Sequence, residues 1–419
     1  MTGHPVLLVV YDFGSLAPTR IAEAAAANGC DVVFVVADSE HTRQIRPILT
    51  MVGSVVELTD PGDGALVDRL RGLQPAGIVT FSELCIGHTA RLADALGLPN
   101  HAVADIDVIT TKSAQRARLA ETGVETVAHH VVTDRAGIEA ATSAVPFPAI
   151  VKPVVGASSR NTELVSSPQE CRAVLDRTLG GATPGPADLR EKAVIVEEFL
   201  AGRPTGWPWA DYIAVDCVAT GDIVRPLFVS SRFQLAQPFR ERGGYGGQSV
   251  VDDSELAVIT KLACEAIHAV NIRHGVAQAE LKLTVDGPRV IEVNGRLGGW
   301  VDDLAVRSGG ADPADVAVKC ALGLDFDLHP PPADGPIPFQ YIVIPPAGAD
   351  RVTAIKDAGV LRRIDHVERV SVLTSPGASA DWRLGTRSKV AAVFGTTRTL
   401  ADLADTITEI EQADWIDYA

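Results

Sequence analysis

Gln278-Ala279-Glu280-Leu281-Lys282-Leu283 and Val290-Ile291-Glu292-Val293-Asn294-Gly295-Arg296-Leu297-Gly298-Gly299-Trp300 flank the turn signal Asp286-Gly287-Pro288. Polar and apolar residues alternate along both runs, which predicts a hairpin with one buried face per strand. Side chains two residues apart share a face, so Glu280 groups with Lys282, and Glu292 with Asn294 and Arg296. Whether the two groups meet depends on the turn. A two-residue loop at Asp286-Gly287 pairs Val285 with Pro288 and sets Glu280 and Glu292 on opposite faces; a three-residue loop ending at Pro288 pairs Val285 with Arg289 and aligns them. Pro288 lacks the N–H that a ladder needs, which favours the longer loop. Carboxylate and amide oxygens gathered on one face are hard ligands, suited to Mg²⁺ carrying nucleotide phosphates. The plainer alternative is a solvated sheet face, but the glycine-rich segment after Arg296 adds an open approach beside a base.

Upstream, residues 149–152 form a short apolar strand between Pro148 and Pro153, ending in Lys152 and leading into Gly156-Ala157-Ser158-Ser159-Arg160-Asn161. Small residues let backbone N–H groups and the Ser158 and Ser159 hydroxyls approach phosphate oxygens, with the Lys as a point charge. A Gly-Ser turn between strands reads the same way. A P-loop is excluded, because the chain contains no Gly-Lys dipeptide. Residues 193–196 form an apolar strand that ends in Glu197-Glu198-Phe199-Leu200. Apolar side chains there can sandwich a base while carboxylates accept from amino or hydroxyl groups, although solvated acids at a strand end are the simpler reading. Lys112 opens a helix that Gly123 stops. Residues 212–219 and 223–230 form a hairpin around Thr220-Gly221-Asp222.

The first hundred residues alternate apolar strands (6–10, 31–37, 54–59, 77–81) with helices (19–28, 65–73), the pattern of a parallel α/β layer. No G-x-G-x-x-G follows the first strand, and Asp12-Phe13-Gly14 lacks the H-R-D loop that would make it a kinase motif. A length of 419 residues calls for several domains, and 46% hydrophobic with 21% charged residues excludes a disordered chain or a coiled coil. No apolar run approaches the roughly 20 residues of a membrane span, and residues 1–5 do not resemble a signal peptide, so a cytoplasmic location is expected. A net charge of -16 disfavours nucleic acid and anionic membranes as partners. The six Cys form no C-x-x-C pair, which argues against a zinc or redox motif. Only eight of the 37 basic residues are Lys, which makes each position informative.

In order, Lys112, Ile150-Val151-Lys152-Pro153 with its small-residue loop, Val196-Glu197-Glu198-Phe199-Leu200-Ala201-Gly202, Glu280-x-Lys282 and Glu292-x-Asn294-x-Arg296 resemble the ATP-grasp superfamily. Phe81-Ser82-Glu83 and Leu96-Gly97-Leu98-Pro99 resemble the layer preceding the grasp domains, and residues 383–412 their closing domain. Asn294-Gly295-Arg296-Leu297-Gly298-Gly299-Trp300, with Ala210-Asp211-Tyr212-Ile213, looks most like dipeptide-forming L-amino acid ligases. The resemblance implies an α/β and α+β multidomain protein. An N-terminal parallel α/β layer (1–105) precedes the ATP-grasp lid (106–195) and large subdomain (196–335), and a C-terminal α+β closing domain (336–419) follows.

It further implies that Lys112 and Lys152 hold ATP phosphates under the 156–161 loop, that Glu197, Glu198, Phe199 and Leu200 frame adenine, and that Asp211 meets the ribose. Glu280 and Glu292, assisted by Asn294, would bridge Mg²⁺ (Mn²⁺ being an alternative), with Lys282 beside the phosphates. Arg296 would hold the reacting carboxylate, and Gly298, Gly299 and Trp300 would border the substrate, Trp300 either capping a side-chain pocket or packing in the core. The implied reaction joins two amino acids, or an amino acid and a related amine, through an acyl phosphate, releasing ADP and phosphate. A bicarbonate-using carboxylase and a non-catalytic nucleotide-binding regulator are the alternatives. Homodimerisation stays open. Gly156 and Gly243-Gly244-Tyr245-Gly246-Gly247 are lid candidates, the second equally a linker, and Arg232, Arg240 and Arg242 could attract an acidic substrate.

Overall fold

The computed structural model describes residues 4–156, 159–180 and 193–419. Short, continuously apolar strands need cover on both faces, and the first layer supplies it. Ser54–Glu57, Asp31–Val36, Val6–Tyr11 and Pro75–Val79 pair in that order, all in parallel. Helices Pro18–Ala27, Glu40–Val52 and Gly64–Gly72 connect them, and Ile86–Leu96 follows the last. One face of this sheet shares its core with two later helices: Leu7, Val9 and Phe34 cluster with Leu304, Val316 and Ala321 of Val301–Arg307 and Pro313–Leu322. Arg20 pins the junction, donating to Asp302 at 2.8 and 3.1 Å and also to Asp312. The helix that follows Trp300 is therefore fixed against the N-terminal layer.

A second, antiparallel sheet orders His129–Val132, Val194–Glu198, Ala149–Pro153 and Glu163–Val165, with helices Ile138–Ala144 and Pro168–Leu179 packed into its core. The third sheet has eight strands in the order Gly287–Asn294, His274–Thr284, Trp209–Thr220, Ile223–Phe233, Gly243–Tyr245, Ile337–Val343, Ala391–Thr397 and Val367–Val372. Every pair is antiparallel. The expected boundary near residue 335 falls inside this one sheet, whose last three strands and the Leu400–Gln412 helix share a core with Phe233 and Tyr245 of the preceding strands. Gly243–Tyr245, read from the sequence as lid or linker, is a central strand instead. A Cβ on Gly243 would meet Gln340 O at 2.1 Å and one on Gly244 would meet Ser231 O at 2.4 Å, so the neighbouring strands close on bare backbone. Among the described residues no helix is long and apolar enough to cross a membrane.

Candidate active site

Glu280 and Glu292 face each other directly across the His274–Thr284 and Gly287–Asn294 strands, but neither loop considered from the sequence produces this. The turn is Val285-Asp286, with Thr284 opposite Gly287 and Leu283 opposite Pro288. Continued unbroken, that register would oppose Glu280 to Ile291. A bulge between Glu280 and Leu281 absorbs one residue, and the carboxylates realign. Pro288 is tolerated because its strand is the edge of the sheet. The edge is closed by the helix Lys112–Glu121. Gln115 exchanges two hydrogen bonds with the backbone of Val293, at 2.7 and 2.8 Å. Arg116 donates to the carbonyls of Val290 and Ile291 at 2.9 and 2.6 Å, Ile291 being the residue that the bulge leaves without a partner in the register.

The same helix brings Lys112 to the carboxylate pair: its Nζ lies 3.2 Å from Glu292 and 3.1 Å from the Gly156 carbonyl. From the second sheet, Lys152 approaches Glu197 at 2.8 Å, and Arg116 grips the same carboxylate with Nε and Nη2, both at 3.1 Å. Glu197 is 3% exposed; burial would raise its pKa, but Lys152 and Arg116 outweigh it and hold the carboxylate below its ordinary range. Both of its oxygens are thus engaged by Arg116 and Lys152. Glu280 behaves oppositely. Burial, then the like charge of Glu292, pushes it up to about 7. A divalent cation between the two carboxylates would relieve that repulsion, and two carboxylates completed by phosphate oxygens are an ordinary Mg²⁺ donor set. Among the described residues no group of three or more His, Cys, Asp or Glu forms a metal cage by itself.

These groups line a cavity of about 350 Å³ bordered by the second and third sheets and by Phe13, Gly14, Ser15 and Glu83 of the N-terminal layer. Ile150, Phe199, Leu200, Leu235 and Phe239 give it an apolar wall suited to a planar base, with Phe199 and Phe239 at 6.4 Å between centroids. Glu198 lines the cavity and accepts from the Ala128 N–H at 3.1 Å. Lys282 lines it, 2.7 Å from Asp211 and 5.8 Å from the Phe199 ring. Ser159 also faces it, whereas Ser158 lies outside the described residues. Asp211, Asn294 and Gly298 do not line it. The Asn294 oxygen instead accepts from Arg296 Nη2 at 3.4 Å.

Arg296 is oriented from three sides, by Glu83 of the N-terminal layer at 3.2 Å, the Leu297 carbonyl at 3.1 Å and Asn294. The loop behind it hangs on Asp216, which is fully buried and accepts from the Gly298 N–H at 2.7 Å and from Gln278 at 2.9 Å. A Cβ on Gly298 would fall 1.7 Å from the Gln278 amide, which is why the glycine is needed there. Trp300, at φ 63°, lines the cavity and packs on the small cluster of Ala236, Ile342 and Ile344. Burial raises the Asp216 pKa from 3.8 to about 6. A raised carboxyl pKa contributes stability below about pH 4 that is lost as pH rises through 6, a swing of about 3 kcal/mol at most. Asp216→Asn is therefore expected to raise the melting temperature relative to wild type at pH 8 more than at pH 5. Equal shifts at both values would contradict an ionised, desolvated Asp216.

Several site residues carry no sequence signal of comparable strength. Arg116 lies one helical turn beyond Lys112, a spacing that places both on one face, and Glu83 sits in a stretch read only as part of the preceding layer. Of the three arginines expected to attract an acidic substrate, Arg232 alone lines the cavity. Arg240 bonds the Gln237 carbonyl, and Arg242 pairs with Glu411 at 3.1 Å and covers the Trp207 ring.

Residues 145–303 match the family model of the ATP-grasp domain. The chain is 27% identical over 344 residues to carnosine synthase 1 of Mus musculus, covering 77% of this chain and 40% of that protein. It is 25% identical over 231 residues to alanine–anticapsin ligase of Bacillus subtilis, covering 53% of this chain and 48% of the relative. The chain thus spans less than half the length of these relatives. In shape it is similar to the crystal structure of an L-amino acid ligase from Bacillus licheniformis, with a TM-score of 0.75, 20% identity and full coverage of both chains. An N5-carboxyaminoimidazole ribonucleotide synthetase from Thermus thermophilus gives a TM-score of 0.66 at 15% identity, covering 97% of this chain and 98% of the other.

Proposed function

Since the chain carries an ATP-grasp domain within a fold shared with an L-amino acid ligase, we propose that it is an ATP-dependent carboxylate–amine ligase acting on amino acids. A carboxylate oxygen of the first substrate attacks the γ-phosphorus of ATP; ADP leaves, and an acyl phosphate forms. The amine of the second substrate attacks the acyl carbon, phosphate leaves, and an amide results, one proton being released from the amine. Phosphoryl transfer of this kind needs alignment and charge neutralisation more than a protein nucleophile. The observation that carries the reading is the convergence, in one cavity, of the Glu280 and Glu292 carboxylates, Lys112 and Lys152, and Arg296.

Lys112, Lys152 and Lys282 offer charge to the phosphates, and Phe199, Leu200 and Phe239 a slot for the base. Mg²⁺ held by Glu280 and Glu292 would supply Lewis-acid neutralisation of the phosphate oxygens. Arg296 would receive the reacting carboxylate: two of its five N–H groups are hydrogen-bonded within the protein, to the Leu297 carbonyl and Asn294, which leaves donors for an incoming anion. The test is a panel of amino acid pairs with ATP and Mg²⁺, reading phosphate release and product mass. Amide formation matched by ADP is expected; bicarbonate-dependent turnover without any amino acid would point to a carboxylase instead, and no turnover at all to a binding role.

A further inference from the structure

The six cysteines offer no C-x-x-C spacing, yet the fold brings two of them together across 47 residues. Cys217 lies in the strand Trp209–Thr220, where alternation turns Val215, Cys217 and Ala219 into a core shared with the helix Asp253–Ala269, and Cys264 lies in that helix. Their sulfurs are 3.9 Å apart, in S–H···S contact. Cys30, Cys85, Cys171 and Cys320 are buried, the ordinary state of a thiol used as a small hydrophobe. Cys217 is buried likewise, with none of its surface exposed, but Cys264 is only partly buried and lines a surface groove with Thr122, Val224 and His268. One sulfur therefore meets solvent while its neighbour is held behind it. The asymmetry extends to the protons. The hydrogen bond from Cys217 holds the Cys264 thiol below its ordinary pKa against burial and Glu265, while the same contact, then burial, pushes Cys217 well above its own. The thiolate is the nucleophilic form, so the more reactive sulfur is also the reachable one.

We propose that Cys217 and Cys264 form an oxidation site, which a hydroperoxide converts into an intramolecular disulfide. The Cys264 thiolate attacks the terminal oxygen of the hydroperoxide; the O–O bond breaks, the alcohol or water leaves with the proton that the thiol gave up, and Cys264 becomes a sulfenic acid. The Cys217 sulfur then attacks the Cys264 sulfur, an S–S bond forms, and the hydroxyl leaves as water with the Cys217 proton. Two electrons pass from the two thiols to the peroxide, and nothing else is consumed. Bringing the sulfurs to bonding distance takes about 2 Å of travel, within reach of side-chain rotation at the partly buried Cys264. The link ties the helix Asp253–Ala269 to the strand whose Asp216 holds the Gly298 N–H behind Arg296. This chemistry needs neither ATP nor an amino acid.

The experiment exposes the folded full chain to a small excess of hydrogen peroxide, removes the peroxide by gel filtration, and titrates free thiols after denaturation. The thiol number is expected to fall from six to four, since one disulfide consumes two, and the intact mass to drop by two hydrogens. Digestion under non-reducing conditions should yield a peptide linking Cys217 to Cys264, and dithiothreitol should restore all six thiols. Cys217→Ala is expected to leave the Cys264 sulfenic acid without its partner, so that dimedone tags it, whereas Cys264→Ser should keep its remaining thiols through the same exposure. Cys264 is partly buried at a helix position, so Cys264→Ser carries the comparison should Cys217→Ala fold poorly. Six thiols surviving in wild type, oxygen gained on Cys264 with no link, a link to a different cysteine, or a disulfide between two molecules would each overturn the assignment.

Discussion

Glu292→Ala is expected to lower kcat about a thousandfold or more while leaving the circular dichroism spectrum unchanged. The magnitude is that of removing one preorganised group from a charge-stabilising site, with part of the metal's contribution added. Glu292 is the stronger of the two carboxylates for an electrostatic reason. Burial alone would raise its pKa, but Lys112 and then Lys152 hold it below the ordinary value. For Glu280, Arg232 and Arg296 do not outweigh burial and the charge of Glu292, which push it up to about 7, so near neutral pH Glu292 is the more fully charged carboxylate of the pair. Its removal also frees Lys112, whose 3.2 Å pairing fixes the ammonium beside the Gly156 carbonyl. Glu292→Asp keeps the charge but retracts it by one methylene, and an intermediate loss is expected. Phosphate release under saturating Mg²⁺, across a titration of the metal, separates weak metal binding from lost catalysis. A Glu292→Ala enzyme that keeps more than a tenth of wild-type turnover would remove this residue from the metal site.

Strand alternation was sufficient to find the paired acids, because a period of two survives wherever one face is buried. It could not locate the bulge. One extra residue leaves no compositional trace, and the device that stabilises it, Arg116 on the Val290 and Ile291 carbonyls, comes from a helix about 170 residues earlier. The parallel layer was legible from its continuous apolar strands, although the Glu40–Val52 helix was not, having Pro47 in its interior. Glu197 reads from the sequence as an acid at a strand end free to meet a ligand; only the fold reveals that Arg116 and Lys152 converge on it. Glu83 and Lys389, both lining the cavity, illustrate the same limit from opposite ends of the chain. Each owes its place to sheet packing between segments hundreds of residues apart, and neither sits in a pattern whose spacing carries chemistry.

The second large effect is expected at Arg296, and there the surrounding contacts let one substitution test position and another test charge. Arg296→Ala should reduce kcat/KM for the activated acid by about 10²- to 10³-fold, the loss that follows when a forked donor to a developing anion is removed. Arg296→Lys retains the charge but cannot hold Glu83, the Leu297 carbonyl and a substrate carboxylate together, so most of the loss should persist. Glu83 supplies the discriminating case. It is a buried carboxyl whose pKa is raised by desolvation, with Arg296 and Lys112 only partly compensating. Its neutral isostere in Glu83→Gln keeps the side chain beside Arg296 while giving up the ion pair. A residue that only positions Arg296 should then cost roughly tenfold, with KM for the acid rising more than kcat falls. An effect of Glu83→Gln as large as that of Arg296→Ala would mean that Glu83 meets the substrate itself. Indifference to Arg296→Ala would move the reacting carboxylate elsewhere in the cavity.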